Sequence, residues 1–247
     1  DILSSSFSNY RTGFTGTPFI IVPKDIDDTV SFDKVITREE DSGSIIASML
    51  GIGNGIESGI GSVPTINFVD ENEDLLSSLI KLIVDRSYGC LIDIGSFLIK
   101  YSLGYIVREL CKYFRDTKQF NYIVFISDDD KKYYTDVSIF NALPFKNNLP
   151  LNEIFVYFDQ KHITGQDITQ SKYTKGLITL RQNNRIRDAG QGIFRLRKIN
   201  KGQTIDICIF SNTESEFDGL EGKSKNLKII NMLLKNENLY KGKQMTL

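Results

Sequence analysis

A chain of 247 residues, 40% hydrophobic and 25% charged, has the size and composition of a globular domain able to bury its own core. Its formal net charge of -1 excludes the bulk cation excess that holds proteins non-specifically on nucleic acid. No apolar run reaches the ~20 residues needed to span a bilayer. Cys90, Cys111 and Cys208 are far apart and form no Cys-x-x-Cys or Cys-x-x-His pair, which argues against a disulfide framework or metal site and for a reducing, cytoplasmic setting.

The first residues, Asp1 to Ser5, have neither the basic start nor the apolar core of a signal peptide. With no initiating methionine and a motif a few residues further on, the chain reads as a piece of a longer protein. Tyr10 to Gly16 reads as a short strand entering a Gly-Thr-Pro turn, and residues 1–24 as the trailing strand of a lobe outside this chain. Residues 25–74 carry acidic clusters (Asp25, Asp27, Asp28; Glu39, Glu40, Asp41) and the glycines 51, 53, 55, 59 and 61. Glycine at that density favours a linker.

From residue 75 to 247 the pattern is that of one compact lobe. Leu75, Leu76, Leu79, Ile80, Ile83 and Val84 recur at helical spacing. Cys90 to Ile94 is a strand-length apolar run, followed by an amphipathic helix expected from about Ser96 to Phe114. Further buried-type strands are expected at Tyr122–Ile126, Ile154–Phe158, Leu177–Leu180 and Thr204–Phe210, with a helix over about Ile186–Lys198 and another closing the chain. Near-continuous apolar strands alternating with helices predict an α/β fold, a mostly parallel sheet covered on both faces.

Three segments carry candidate chemistry. In Gly13-Phe14-Thr15-Gly16-Thr17-Pro18, small hydroxyls sit on a tight turn and can hydrogen-bond across two domains. In Phe158-Asp159-Gln160-Lys161-His162-Ile163-Thr164-Gly165-Gln166-Asp167, a loop follows a buried strand at its carboxyl end, where α/β sheets place ligands. It carries the chain's one histidine, His162. In Gln191-Gly192-Ile193-Phe194-Arg195-Leu196-Arg197-Lys198, a continued helix would place Gln191, Arg195 and Lys198 on one face, able to present guanidinium to a phosphate on a neighbouring lobe. Taken singly, these segments also read as a strand exit, a loop histidine and a solvated basic helix end.

Two lesser features read as structural. Gly222-Lys223-Ser224 lacks the earlier glycine of a phosphate loop and reads as a helix start; Asp128, Asp129 and Asp130 read as a solvated turn.

In this order the three segments resemble the later motifs of superfamily-two helicases and the SecA-type translocase motor, whose second lobe is RecA-like. The resemblance implies that Thr15, Gly16, Thr17, Gly165 and Asp167 couple two lobes, and that Gln191, Arg195, Arg197 and Lys198 serve as the arginine-finger group. It also implies ATP with Mg as cofactor, held by a first motor lobe not in this chain. The sequence departs from the motif with Phe194 and Arg197 in place of glycines and Lys198 in place of the final arginine.

A nearer resemblance covers roughly residues 10 to 210. Gly-Phe-Thr-Gly-Thr, Leu91-Ile92-Asp93-Ile94-Gly95, Asp128-Asp129-Asp130, the Asp-x-x-His-x-x-Gly-x-Asp loop and Phe194-Arg195-Leu196-Arg197-Lys198 with Lys201-Gly202-Gln203 look like very large proteins of fungi and protists labelled ubiquitinyl-hydrolase-like. There the Arg-x-Arg-Lys ending is the usual form. That label implies a rival reading, a cysteine deubiquitinase using Cys90 and His162 with Asp167 or Asp159 as orienter. A third reading is an inactive scaffold of motor fold. Polypeptide, ubiquitin conjugate and nucleic acid all stay open as what is moved or cleaved.

Overall fold

The computed structural model describes residue 49 and residues 63–146, 148–164, 167–199 and 201–244. The expected strand at residues 10–16, Thr15, Gly16, Thr17 and Gly165 lie outside the described residues.

One eight-stranded sheet organises the chain. In chain order the elements are β1 (Ile66–Val69), α1 (Leu75–Asp85), β2 (Cys90–Ile92), α2 (Leu103–Thr117), β3 (Tyr122–Ile126), β4 (Lys132–Asp136), β5 (Ala142–Pro144) and β6 (Ile154–Phe158). There follow β7 (Lys175–Thr179), α3 (Ile186–Ile193), β8 (Thr204–Phe210) and α4 (Lys223–Gln244). Across the sheet the strands run β1-β8-β7-β2-β6-β3-β4-β5. The first six are mutually parallel, and β4 and β5 add an antiparallel meander at one edge.

Alternation along each strand divides the core into two. Cys90, Ile92, Val124, Val156, Phe158, Ile178, Ile207 and Ile209 meet α3 and α4 on one face. Leu91, Ile123, Phe125, Phe155, Tyr157, Leu177 and Cys208 meet α1 and α2 on the other. Burial on both faces is why these strands read as continuous apolar runs. Met49 is packed within the α3/α4 core.

The α/β architecture is as the sequence predicts, with local differences, among them the antiparallel strands β4 and β5, which the apolar pattern does not mark. Residues 63–74 are not linker: β1 lies there and pairs with β8 from Ile66↔Ile207 to Val69↔Phe210. Helix α2 starts at Leu103 rather than near Ser96, because the Asp93 carboxylate accepts the N–H groups of Phe97 (2.8 Å) and Leu98 (3.0 Å) and holds that stretch in turns. Ser102 then caps the helix through its Oγ. Finally, α3 stops at Ile193 instead of reaching Lys198. Beyond it the chain tightens into three-residue turns, Arg195 to Gly192 and Leu196 to Ile193. These turns seat Leu196 and Ile199 in the core, Leu196 against Gly176, where a Cβ would lie 2.8 Å from its Cδ1.

The connections into β7 and β8 are stapled together. Gln203 Nε2 donates to the Ser171 carbonyl (2.8 Å), and the Lys198 N–H donates to Gln203 Oε1 (2.7 Å). Gly202 closes the staple at φ +120°, and a Cβ there would lie 2.6 Å from the Lys172 carbonyl oxygen. Gly202→Ala therefore combines a disfavoured backbone with a clash against main chain. We expect a loss of about 2 kcal/mol in urea unfolding, and an unchanged midpoint would contradict this packing.

Among the described residues no helix is long and apolar enough to cross a membrane.

Candidate functional site

The second and third sequence segments meet in space. Ile163, after β6, and Ile168, ahead of β7, are both buried in the core on the α3/α4 face. The turns after α3 return to the start of β8. Where these two connections abut, Arg197 Nε donates to Asp167 Oδ2 at 3.0 Å, and the Arg197 guanidinium lies 4.3 Å from the centroid of the Phe194 ring. Gln170 Nε2 donates to the Arg195 carbonyl at 3.3 Å and ties the backbones together.

The two arginines differ in access. Arg195 is 4% exposed. Burial lowers its pKa first, the nearby Arg197 charge lowers it further, and Asp167 opposes both. The Arg197 side chain is 40% exposed and its partner Asp167 49%, so Arg197 can reach a second body. Lys198 is exposed beside them. Gln191 lies on α3 itself, and because the helix ends at Ile193 it does not share a helix face with Arg195 and Lys198. Arg197 and Lys198 are exposed and Arg195 is buried close to Arg197, a cationic group arranged by turns rather than by a helix.

His162 is held elsewhere, past the carboxyl end of β6. It is 3% exposed, with Nδ1 2.5 Å from Asp159 Oδ1 and Nε2 3.0 Å from Asp130 Oδ1. Asp159 also accepts the His162 N–H at 3.0 Å, capping a short 3₁₀ turn. Lys161 Nζ reaches Asp130 at 3.0 Å and the Asp128 carbonyl at 3.3 Å. The acidic turn joining β3 to β4 is thereby pinned to the loop after β6, a role that composition alone did not reveal. The Asp159-x-x-His162 spacing was the available signal, since it is that of an N-cap acceptor and the N–H it takes.

Hydrogen bonding to Lys161, then to His162, pulls the Asp130 pKa below the ordinary carboxylate value. A lowered carboxylate contributes stability above its unfolded pKa and loses it as pH falls through the lowered folded one. The tie should therefore hold at neutral pH and open only in acid, below about pH 4. An NMR titration following the Asp130 carboxyl should place its midpoint below that value, and a midpoint above it would contradict the tie.

Cys90 does not approach His162. It opens β2 in register with Val156, three residues before Asp159, roughly 10 Å along the strand. It is fully buried, and burial pushes its thiol pKa far up. Cys208 is raised in the same way and Cys111 to about 11. The structure does not bring together the pair that a thiol hydrolase would need.

At the carboxyl end of β2, Asp93 is buried, and desolvation raises its pKa against hydrogen bonds from Thr179 Oγ1 (2.6 Å) and two N–H groups. Those bonds fill the crevice between β2 and β7, where the chain leaves toward opposite faces of the sheet. Arg181 closes it, donating from Nε to the Gly95 carbonyl at 2.6 Å. No protein-family model, curated protein or solved structure matches the chain.

Proposed function

We propose that this chain is the second, RecA-like lobe of a nucleotide-driven motor, and that it presents Arg197 to phosphates held by another lobe. The observation that carries this reading is the Arg197–Asp167 pair, which joins the Gly-x-Asp loop to the arginine segment thirty residues later. Arg197 is the exposed arginine of the group, with Asp167 and Phe194 fixing its orientation. Arg195, buried behind it, sets the local field and the backbone geometry. Lys198 adds charge at the rim.

The residues present fit an anion such as the phosphates of ATP with Mg, since Arg197 and Lys198 are exposed and the buried Arg195 adds charge beside Arg197. ATP would supply the scissile phosphoanhydride and Mg the neutralising charge; Arg197 would bind and orient from this side. Movement of the Asp167 loop would in turn move Arg197, which gives nucleotide state a path into this lobe. The moved substrate is polypeptide, a ubiquitin conjugate or nucleic acid, and the buried free thiols suit a reducing, cytoplasmic compartment.

The separation of Cys90 from His162 weighs against the deubiquitinase reading. The test uses the native protein containing this segment, assayed for ATP hydrolysis and for reaction with a ubiquitin thiol-trapping probe. Hydrolysis lost in Arg197→Ala, with no adduct, supports the motor. Hydrolysis indifferent to Arg197→Ala, or absent from the native protein, overturns it, the latter leaving the scaffold reading. An adduct dependent on Cys90 would restore the thiol hydrolase.

A further inference from the structure

We propose that a cavity of about 330 Å³ at the carboxyl edge of the sheet, bordered by the exits of β1 (at Glu71), β7 and β8 and by α4, binds the neutral heterocyclic base of a nucleoside. It is separate from the Arg197 surface, which lies at the starts of β7 and β8, and does not depend on the motor reading.

The first support is its place in the topology. The chain leaves β1 into α1 on one face of the sheet and leaves β8 toward α4 on the other. Neighbouring parallel strands whose exits part in this way open a crevice at their carboxyl ends, the position where open α/β sheets bind ligands. The equivalent crevice between β2 and β7 is filled by Asp93, Thr179 and Arg181, whereas the one beside β8 stays open.

The second support is the chemistry of its walls. Leu180, Ile209, Phe217 and Met232 provide apolar surface. The charged side chains there are already matched: Arg181 pairs with Glu71 at 3.1 Å, and Lys228 with Glu216 at 3.9 Å while also donating to the Glu216 carbonyl. Gln182 Nε2 donates to Glu216 Oε1 at 2.8 Å. An anion or cation entering would have to break one of these pairs, so the walls favour a neutral guest. Asn183 and Asn212, both exposed, also line it, and each carries a carboxamide with a donor and an acceptor side by side. Amide edges over an apolar floor match a flat ring with alternating donors and acceptors on its rim. The volume, at the low end of about 300–1,000 Å³ for ligand sites, suits one base with its sugar.

The test is a titration of the 247-residue chain with adenosine, guanosine, cytidine and uridine, with inorganic phosphate alone as the charged comparison, followed by calorimetry and amide chemical shifts. At least one nucleoside should bind at micromolar to millimolar concentration, shifting the amides of residues 180–183 and 212–217, and phosphate alone should not. Asn212→Ala, at an exposed position, should weaken binding about tenfold. Met232→Trp should fill the cavity and abolish binding, and Arg197→Ala should leave it unchanged. The proposal is overturned if no nucleoside binds at millimolar concentration, if phosphate shifts the amides of residues 180–183 and 212–217 as a nucleoside does, or if Met232→Trp folds and still binds. Should Met232→Trp not fold, Asn212→Ala decides, and unchanged affinity there overturns the proposal.

Discussion

Replacing Arg197 by alanine in the hydrolysing protein is expected to slow ATP turnover by about 10³-fold or more, the range in which a lost arginine finger falls. The same change should leave thermal unfolding of the lobe nearly unmoved, because the Arg197–Asp167 pair is exposed and such pairs stabilise by about 1 kcal/mol at most. Arg197→Lys should not rescue, since an ammonium lacks the planar fork that stacks on Phe194 while bonding Asp167. Asp167→Ala should give a smaller loss in turnover, because it removes only the tether. Its effect should be non-additive with that of Arg197→Ala. Arg195→Ala should behave differently, lowering stability as well as turnover, because that side chain is buried in the fold. Equal melting losses for Arg195→Ala and Arg197→Ala would contradict the division of roles.

Asp206→Ala should be among the most destabilising single changes in the sheet, at about 3 kcal/mol by urea unfolding. Asp206 lies in β8, almost fully buried, and accepts the Tyr88 hydroxyl at 2.6 Å, Lys175 Nζ at 2.7 Å and the Thr65 N–H at 2.8 Å. Alanine would leave the buried Tyr88 hydroxyl with only a long contact to Asn67 Nδ2, 3.3 Å away, and would free the edge that docks β1. Lys175 is partly exposed and can turn to water, which keeps the loss below that of a fully buried ion pair. Tyr88→Phe alone should cost about 1 kcal/mol, and the two changes together less than their sum. A loss under about 1 kcal/mol for Asp206→Ala would mean the network is not what holds β1 to the sheet.

The candidate site was only partly legible in the sequence. The segments containing Asp167 and Arg197 stood out by residue type and order, but their contact depends on two connections that cross the sheet from different strands. The expected helical face of Gln191, Arg195 and Lys198 failed because helical periodicity was extended past Ile193, where packing of Leu196 on Gly176 calls for tighter turns. The pairing of Cys90 with His162 follows from the ubiquitinyl-hydrolase-like resemblance and from His162 being the one histidine in the chain. Burial within β2 and strand register separate them.

By itself the sequence determined what local pattern can encode: the apolar runs at Tyr122–Ile126, Ile154–Phe158 and Thr204–Phe210, the start of α3, and a parallel sheet covered on both faces. Strand-length hydrophobic runs leave a buried strand few alternatives, so these elements needed no partners to be recognised. The tertiary structure alone decided which strands are neighbours, that β1 joins β8 across 141 residues, and that Asp130 and Asp159 both close on His162. Those outcomes turn on long-range register and on buried polar groups finding partners, and neither leaves a periodic signal along the chain.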